Sequence, residues 1–331
     1  MKRRQWSQWA VCASLAPWAL SAQANNLNRS QAAPAASAPE RFTIYIPGSS
    51  GGGWDQTGRA LGAALQAQGL VGEVAYVNKG GKGGLPGLAE FVQRHDRDPH
   101  AIFVGGMVML GAIAVQRPAI ALNRVQPLAR LTTEHLMLAT TPKSGFKDVA
   151  ALAAAMKQDL SSVVFTGGSA GGIDHMMIAM VARQLRLDLS KLNYLPTGGG
   201  GEALELLLAG KAQVVVSGVG ELQRAVATRQ VLPLALSSRR GTGGVPSLTD
   251  RGIHTELANW RGVFCGGGLT PTQNDRLIGM LRQATDSQAW RRQVRDNRWQ
   301  SAQSFGPDFA ELLLVEQAIA NAVTHMLRLQ A

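Results

Sequence analysis

Cysteine is nearly absent: the 331 residues contain two, Cys12 and Cys265. That excludes the disulfide framework of a small secreted domain and any metal site built on cysteines. Aromatic residues make up 5% of the chain. No basic run is interleaved with them, so a base-stacking surface for nucleic acid is not expected. The densest basic cluster is Arg291, Arg292, Arg295 and Arg298, beside Trp290 and Trp299. Its helical spacing reads as a solvated helix face. None of the six histidines stands three or four residues from another, so a helical two-histidine metal motif is missing. Neither a metal nor a cofactor is expected. Long apolar runs are also lacking beyond the amino terminus, where none approaches the ~20 residues that span a bilayer.

What is present begins with Lys2, Arg3 and Arg4, then the mostly apolar Trp9 to Leu20, then Ala22-Gln23-Ala24. This is the pattern of a secretory signal peptide, residues 1–24, with cleavage after Ala24. It predicts an exported, soluble, periplasmic protein. Cleavage would leave Cys265 as the single thiol and, by removing three cations and no anion, lower the formal charge from +11 to +8. An excess of positive charge steers anions inward. Residues 25–39, rich in Ala, Ser, Asn and Pro, read as a flexible leader.

From Arg41 onward short β-rich runs alternate with amphipathic helical ones. "RFTIYIP", "GEVAYVNK", "AIFVGG", "SVVFTGG", "LNYLPTG" and "AQVVVSG" read as strands. "WDQTGRALGAALQAQ", "LPGLAEFVQRH", "IDHMMIAMVARQL" and "GEALELLLAGK" read as helices. The alternation predicts an α/β fold with mainly parallel sheets flanked by helices.

The 38 glycines cluster where apolar runs end and helices begin: Gly48–Gly53, Gly167–Gly172 and Thr197–Gly201. In open α/β sheets ligands bind at the carboxyl ends of strands. Helix N-termini there offer unpaired N–H groups and partial positive charge, and glycine lets a ligand approach the backbone. Three such loops point to an anion, a carboxylate or phosphate. The plainer reading of each is a tight strand-to-helix turn.

Other motifs are weaker. Gly167-Gly168-Ser169-Ala170-Gly171 fits G-x-S-x-G, the nucleophile elbow of hydrolases, but so does Gly48-Ser49-Ser50-Gly51-Gly52. An esterase would need an acid and a histidine, for which Asp250 and His254 can be nominated without anything placing them near Ser169. "GGKGGLPG" lacks the Ser or Thr of a phosphate-binding P-loop. His175 either is buried on the backbone or helps shape the second loop. Asp55 and Asp174 occupy first helical turns, where carboxylates cap by default. They are compatible with an anion site if they are turned into their own loops.

Taken in order, "PGSSGGGWDQTGRA", "VNKGGKGGLPGLAEF", "FTGGSAGGIDHMM", "YLPTGGGGEALELLLAGKAQVVVSGVGE", "VPSLTDRGI" and "NWRGVFCGGGLTP" resemble the segments of the extracytoplasmic solute-binding receptors of tripartite tricarboxylate transporters, the TctC or Bug receptors. The resemblance covers Phe42 to the C-terminus. "DRDPHAIFVGG" and "FCGGGLTP" depart from the family's usual runs. The resemblance implies a monomeric, non-enzymatic, two-lobed clamshell like type 2 periplasmic binding proteins. Lobe 1 would be residues 40–141 and 237–331, and lobe 2 residues 142–236. It implies a carboxylate cargo, with a tricarboxylate such as citrate favoured and a dicarboxylate or aromatic acid as the alternative. It also implies membrane subunits as partners, or a sensory role. Ligand would meet Ser49, Ser50, Gly52, Gly53, Trp54 and Asp55 from the first loop. Ser169, Ala170, Gly171, Gly172 and His175 would come from the second loop, and Thr197 and Gly198 from the third. The family grips carboxylates with backbone N–H groups, hydroxyls and water rather than arginines.

Overall fold

The computed structural model describes residues 39–255 and 257–326. The expected signal peptide and nearly all of the leader lie outside the described residues. The first half of the chain forms β1 (Arg41–Ile46), α1 (Gly53–Ala67), β2 (Glu73–Asn78), α2 (Leu85–His95), β3 (Ala101–Gly106), α3 (Met107–Gln116) and the long β4 (Val125–Thr140). There follow α4 (Val149–Gln158), β5 (Phe165–Gly167), α5 (Ile173–Gln184), β6 (Tyr194–Pro196), α6 (Gly200–Leu208), β7 (Val214–Gly218), α7 (Val219–Ala227) and β8 (Leu232–Leu236). The last part adds β9 (Ala258–Gly266), α8 (Pro271–Thr285), α9 (Gln288–Asp296), β10 (Gln300–Phe305) and α10 (Pro307–Met326).

The strand order is β2-β1-β3-β9-β4-β7-β5-β6, and β10 and β8 also pair with β4. Parallel pairing joins β1 to β2 and β3, and β5 to β6 and β7. Between these two parallel groups run β4 and β9, which pair antiparallel with each other and with their neighbours. The expected parallel βα units are therefore present at both ends, but antiparallel strands tie them together. β4 serves both groups. Residues 125–135 pair with β9, and residues 136–140 with β7. Its register shifts between Pro127 and Ala129 and between Arg130 and Thr132. Proline cannot donate to a ladder, so a bulge is where a strand tolerates it.

The core of the first group grows from alternation in β1 and the all-apolar start of β3. Phe42, Ile44, Tyr45, Ile46, Ile102 and Phe103 are buried. Tyr45, Phe91 and Phe103 pack ring on ring, with the Phe91 and Phe103 centroids 5.2 Å apart. Truncating such a buried ring costs about 3–5 kcal/mol, so Phe103→Ala would remove the first group's keystone. Arg291, Arg292 and Arg295 are exposed on α9, as their spacing predicts, and Arg298, also exposed, lies past the end of the helix, while Trp290 and Trp299 turn inward and meet at 6.3 Å.

Helix starts divide into two kinds. On α4, α8 and α9 the N-caps Asp148, Thr270 and Ser287 accept hydrogen bonds from their own first turns. On α1, α5, α6 and α7 the N-caps are Gly52, Gly172, Gly199 and Gly218, with no side-chain cap bond. The first kind satisfies its orphan N–H groups locally. In the second, acids take part of that work: Glu221 accepts from Gly218 N at the start of its own helix and from Gly53 N on α1, and Glu202 of α6 accepts from Gly198 N.

Candidate functional site

The glycine-capped helices α1, α5, α6 and α7 start at the carboxyl ends of β1, β5, β6 and β7. Their first turns converge on a cavity of ≈ 50 Å³ lined by Ser49, Gly52, Gly53, Trp54, Val108, Ser169, Asp174, Gly198, Glu221, Asn259 and Arg261. A wider hollow of ≈ 490 Å³ adjoins it and shares Ser169 and Gly198. Its other walls are Gly81, Lys82, Gln116, Ala170, Pro196, Thr197 and Glu202.

Of the residues predicted from sequence, Ser49, Gly52, Gly53, Trp54, Ser169 and Gly198 meet in the inner cavity, and Ala170 and Thr197 line the outer hollow. Ser50, Asp55, Gly171, Gly172 and His175 line neither. Ser50 is exposed. Asp55 is turned into its own loop, where Gly51 N donates to Oδ2 at 2.9 Å and Asn78 Nδ2 to Oδ1 at 3.0 Å. Burial opposes its ionisation, but Arg59, Gly51 and Asn78 together hold its carboxyl below the usual range. His175 lies flat against Tyr194, with ring centroids 4.3 Å apart, and its Nδ1 accepts from Gly171 N at 3.1 Å. Burial pushes its pKa down to about 4, so the ring is neutral and serves as a prop for the second loop. Gly171 itself has φ 75, a left-handed turn that favours glycine. Thr197 Oγ1 is engaged by backbone, within donating distance of Gly167 O at the end of β5 (2.7 Å) and of Gly199 O in its own loop (2.8 Å), and accepting from Gly199 N.

Asp174 is turned to its loop and still borders the cavity. Its Oδ2 accepts from Gly168 N at 2.8 Å. Burial, with Glu221 nearby, pushes its pKa up to about 7 against that bond.

The residues that sequence reasoning missed are the charged ones. Arg261 and Asn259 sit near the start of β9. That strand runs antiparallel to β3, and Gly106, the last residue of β3, pairs with Arg261. An amino-terminal strand end is thereby placed among carboxyl-terminal ones. Arg261 Nη2 donates to Glu134 Oε1, and its guanidinium stands 5.6 Å from the Trp299 ring centroid. Burial raises Glu134 to about 7, with the Arg261 charge opposing the shift. A β-carbon at Gly53 would overlap the guanidinium, so the bare first turn of α1 is what seats Arg261. Glu221, from α7, reaches the same turn: Gly53 N donates to its Oε1 at 2.6 Å.

Ser169 Oγ, Asn259 Oδ1 and Arg261 Nη1 are buried and have no hydrogen-bond partner. Ser169 thus makes no hydrogen bond to a base, while Asp250 accepts from Gly241 N and Ser247 N in its own loop and His254 is exposed. The arrangement suits holding a polar molecule more than attacking one. Unclaimed donors in a desolvated pocket bind a carboxylate strongly. Among the described residues no group of three or more His, Cys, Asp or Glu is placed to hold a metal. Cys265 is buried, its pKa pushed up to about 12 by burial.

No family model matches the chain. A UPF0065 protein encoded in the tcbD-tcbE intergenic region of Pseudomonas sp. (strain P51) is 22% identical over 250 residues, 73% of each chain. Among solved structures, MatC (Rpa3494) from Rhodopseudomonas palustris with bound malate has TM-score 0.74 at 20% identity, covering 86% of this chain and 98% of that one. The periplasmic binding protein BugD has TM-score 0.80 at 15% identity, covering 88% and 98%. R. palustris Rpa4515 with adipate has TM-score 0.79 at 16% identity, covering 88% and 98%.

Proposed function

We propose that this chain, whose structural neighbours are solute-binding proteins of the TctC/Bug family, is itself such a receptor and captures a carboxylate metabolite in the cavity described above. One observation carries the reading: glycine-started helices from both parallel groups converge on one cavity, into whose wall the unpartnered, buried Ser169 Oγ and Arg261 Nη1 are built. The malate and adipate of two neighbours support a carboxylate, and the net positive charge supports an anion's approach. The sequence resemblance favours a tricarboxylate such as citrate. The two dicarboxylate-bound neighbours favour the smaller class.

The receptor works by closing two lobes, 40–141 with 237–331 and 142–236, over the cargo. The long β4 and the passage from β8 toward β9 support these as the crossings. It acts in the periplasm after loss of residues 1–24, as a monomer without catalytic activity, and hands cargo to membrane subunits of a tripartite transporter. Native mass spectrometry of the purified protein, then thermal shift with citrate, isocitrate, malate, succinate, adipate and an aromatic acid, tests this. A ligand at one hundred times its Kd stabilises the native state by about 2.7 kcal/mol. A folded protein that carries no small molecule and gains no stability from any of these acids would end the proposal.

A further inference from the structure

The amino terminus of α1 already holds a carboxylate. Glu221 Oε1 accepts from Gly53 N at 2.6 Å, and its Oε2 accepts from Ser217 Oγ at 2.6 Å and Gly218 N at 3.1 Å. Glu221 stands where a free anion docks on such a helix. At the third loop, Glu202 accepts from Ser49 Oγ at 2.5 Å and Gly198 N at 2.8 Å. Asp174 lines the inner cavity as well. Against Glu221 and Asp174 the inner cavity's wall presents one cation, Arg261, shared with Glu134, while Lys82 stands with Glu202 on the wall of the adjoining hollow.

An acidic cluster at helix ends says nothing alone about a ligand. The independent observation is that Ser169 and Arg261, 6% and 2% exposed, line the same cavity and leave Oγ and Nη1 without partners. Asn259, 6% exposed, likewise leaves Oδ1 unpartnered there. One carboxylate satisfies the two donors. A second carboxylate on the same cargo would find Glu221 in its place and Asp174 beside it. Among side chains as buried as Ser169, Asp174 and Arg261, like charges repel more strongly than they do in open solvent.

We propose that Glu221 is the specificity-determining residue of the cleft. The cargo brings one carboxylate to Arg261 and Ser169, and its far end carries a hydrogen-bond-donating nitrogen, an ammonium or a carboxamide, that faces Glu221 and Asn259. This rests on the carboxylate-receptor reading and narrows it. Cargo with two or three carboxylates is discriminated against because it cannot use the α1 terminus without evicting Glu221 into a buried space.

Matched probes test it. Succinate and succinamate differ only in a carboxylate replaced by an amide, and 4-aminobutyrate puts an ammonium at the same end. Dissociation constants for these three, with malate and citrate, are measured by calorimetry on wild type and Glu221→Gln. In wild type succinamate or 4-aminobutyrate is expected to bind at least about tenfold more tightly than succinate, since an unmatched buried polar group is costly. Which of the two wins tells an amide from an ammonium. Glu221→Gln should lower that preference by about tenfold or more. Succinate, malate or citrate binding as tightly as the nitrogen-bearing probes in wild type overturns the proposal, as does a preference that Glu221→Gln leaves unchanged. The wild-type ranking decides alone if the variant does not fold. Failure of all five probes to bind overturns this narrowing, and overturns the carboxylate receptor as well if isocitrate, adipate and an aromatic acid also fail, whereas binding of malate or citrate in preference to succinamate and 4-aminobutyrate overturns only this narrowing.

Discussion

Ser49 and Glu202, 153 positions apart in the chain, meet at 2.5 Å, hydroxyl to carboxylate, at the mouth of the cavity. Ser49 follows β1 in the first parallel group. Glu202 is in the first turn of α6 in the second. The bond is exposed, so it adds little to global stability. Its effect falls on the distance between the two loops.

Ser49→Ala should therefore cost ~1 kcal/mol or less in urea unfolding, yet raise the radius of gyration of ligand-free protein in small-angle scattering. A scattering profile identical to wild type would mean that the bond follows closure without holding it.

The buried acid Asp174 makes stability depend on pH. Its native pKa of about 7 lies above the ordinary 3.8, so between these values the native state binds more protons than the unfolded state. Its contribution is complete below pH ~4 and is lost as pH rises through about 7. His175, lowered from 6.5 to about 4, acts in the opposite sense, favouring the native state above pH ~6.5 and losing that as pH falls toward 4. Comparing variants separates the two. Asp174→Asn should raise the melting temperature at pH 8 more than at pH 5, because the neutral amide escapes the burial penalty at high pH only. An equal shift at both pH values would show that Asp174 titrates normally.

Arg261 and Glu134 form a buried ion pair. Arg261→Met alone leaves Glu134 buried without its partner and should destabilise the fold by about 3–5 kcal/mol in chemical unfolding. The double variant Glu134→Leu/Arg261→Met should recover at least half of that loss, since well-packed apolar residues often replace a buried pair without penalty. Carboxylate binding, in contrast, should stay lost in the double variant. Restored binding would remove Arg261 from the site.

Cys265 should resist a thiol reagent in the folded protein at pH 8 and react fully in denaturant, because burial keeps it a neutral thiol. Rapid labelling of native protein would require β9 to open.

Much of the frame was legible in the sequence. Periodicity placed α2 at Leu85–His95 and β3 at Ala101–Gly106, and glycine punctuation marked the turns before α1, α5 and α6. Those turns do supply Ser49, Gly53, Ser169 and Gly198 to the cavity. The charged half of the site was not legible, for a topological reason. The rule that ligands sit at carboxyl ends of strands holds for parallel strands, and β9 is antiparallel. Arg261 was inside a recognised segment, "NWRGVF", and Glu221 closed another, but spacing alone does not tell which strand end faces the cavity. The expectation that carboxylates are held by backbone N–H groups, hydroxyls and water named no arginine, and the cavity wall includes a buried Arg261 paired with Glu134. Trp54 lines the cavity and is also largely buried, so one position serves both cavity wall and core.

Gly53 and Arg261 amount to a lock whose key is a missing atom. Because a β-carbon at 53 and the guanidinium of 261 claim the same volume, the constraint runs one way: position 261 can shorten alone, but a side chain at 53 requires the guanidinium to move or go. In a descendant the loss of the arginine would come first, and with it the cavity's cation; only then is position 53 free to gain a side chain without displacing its neighbour.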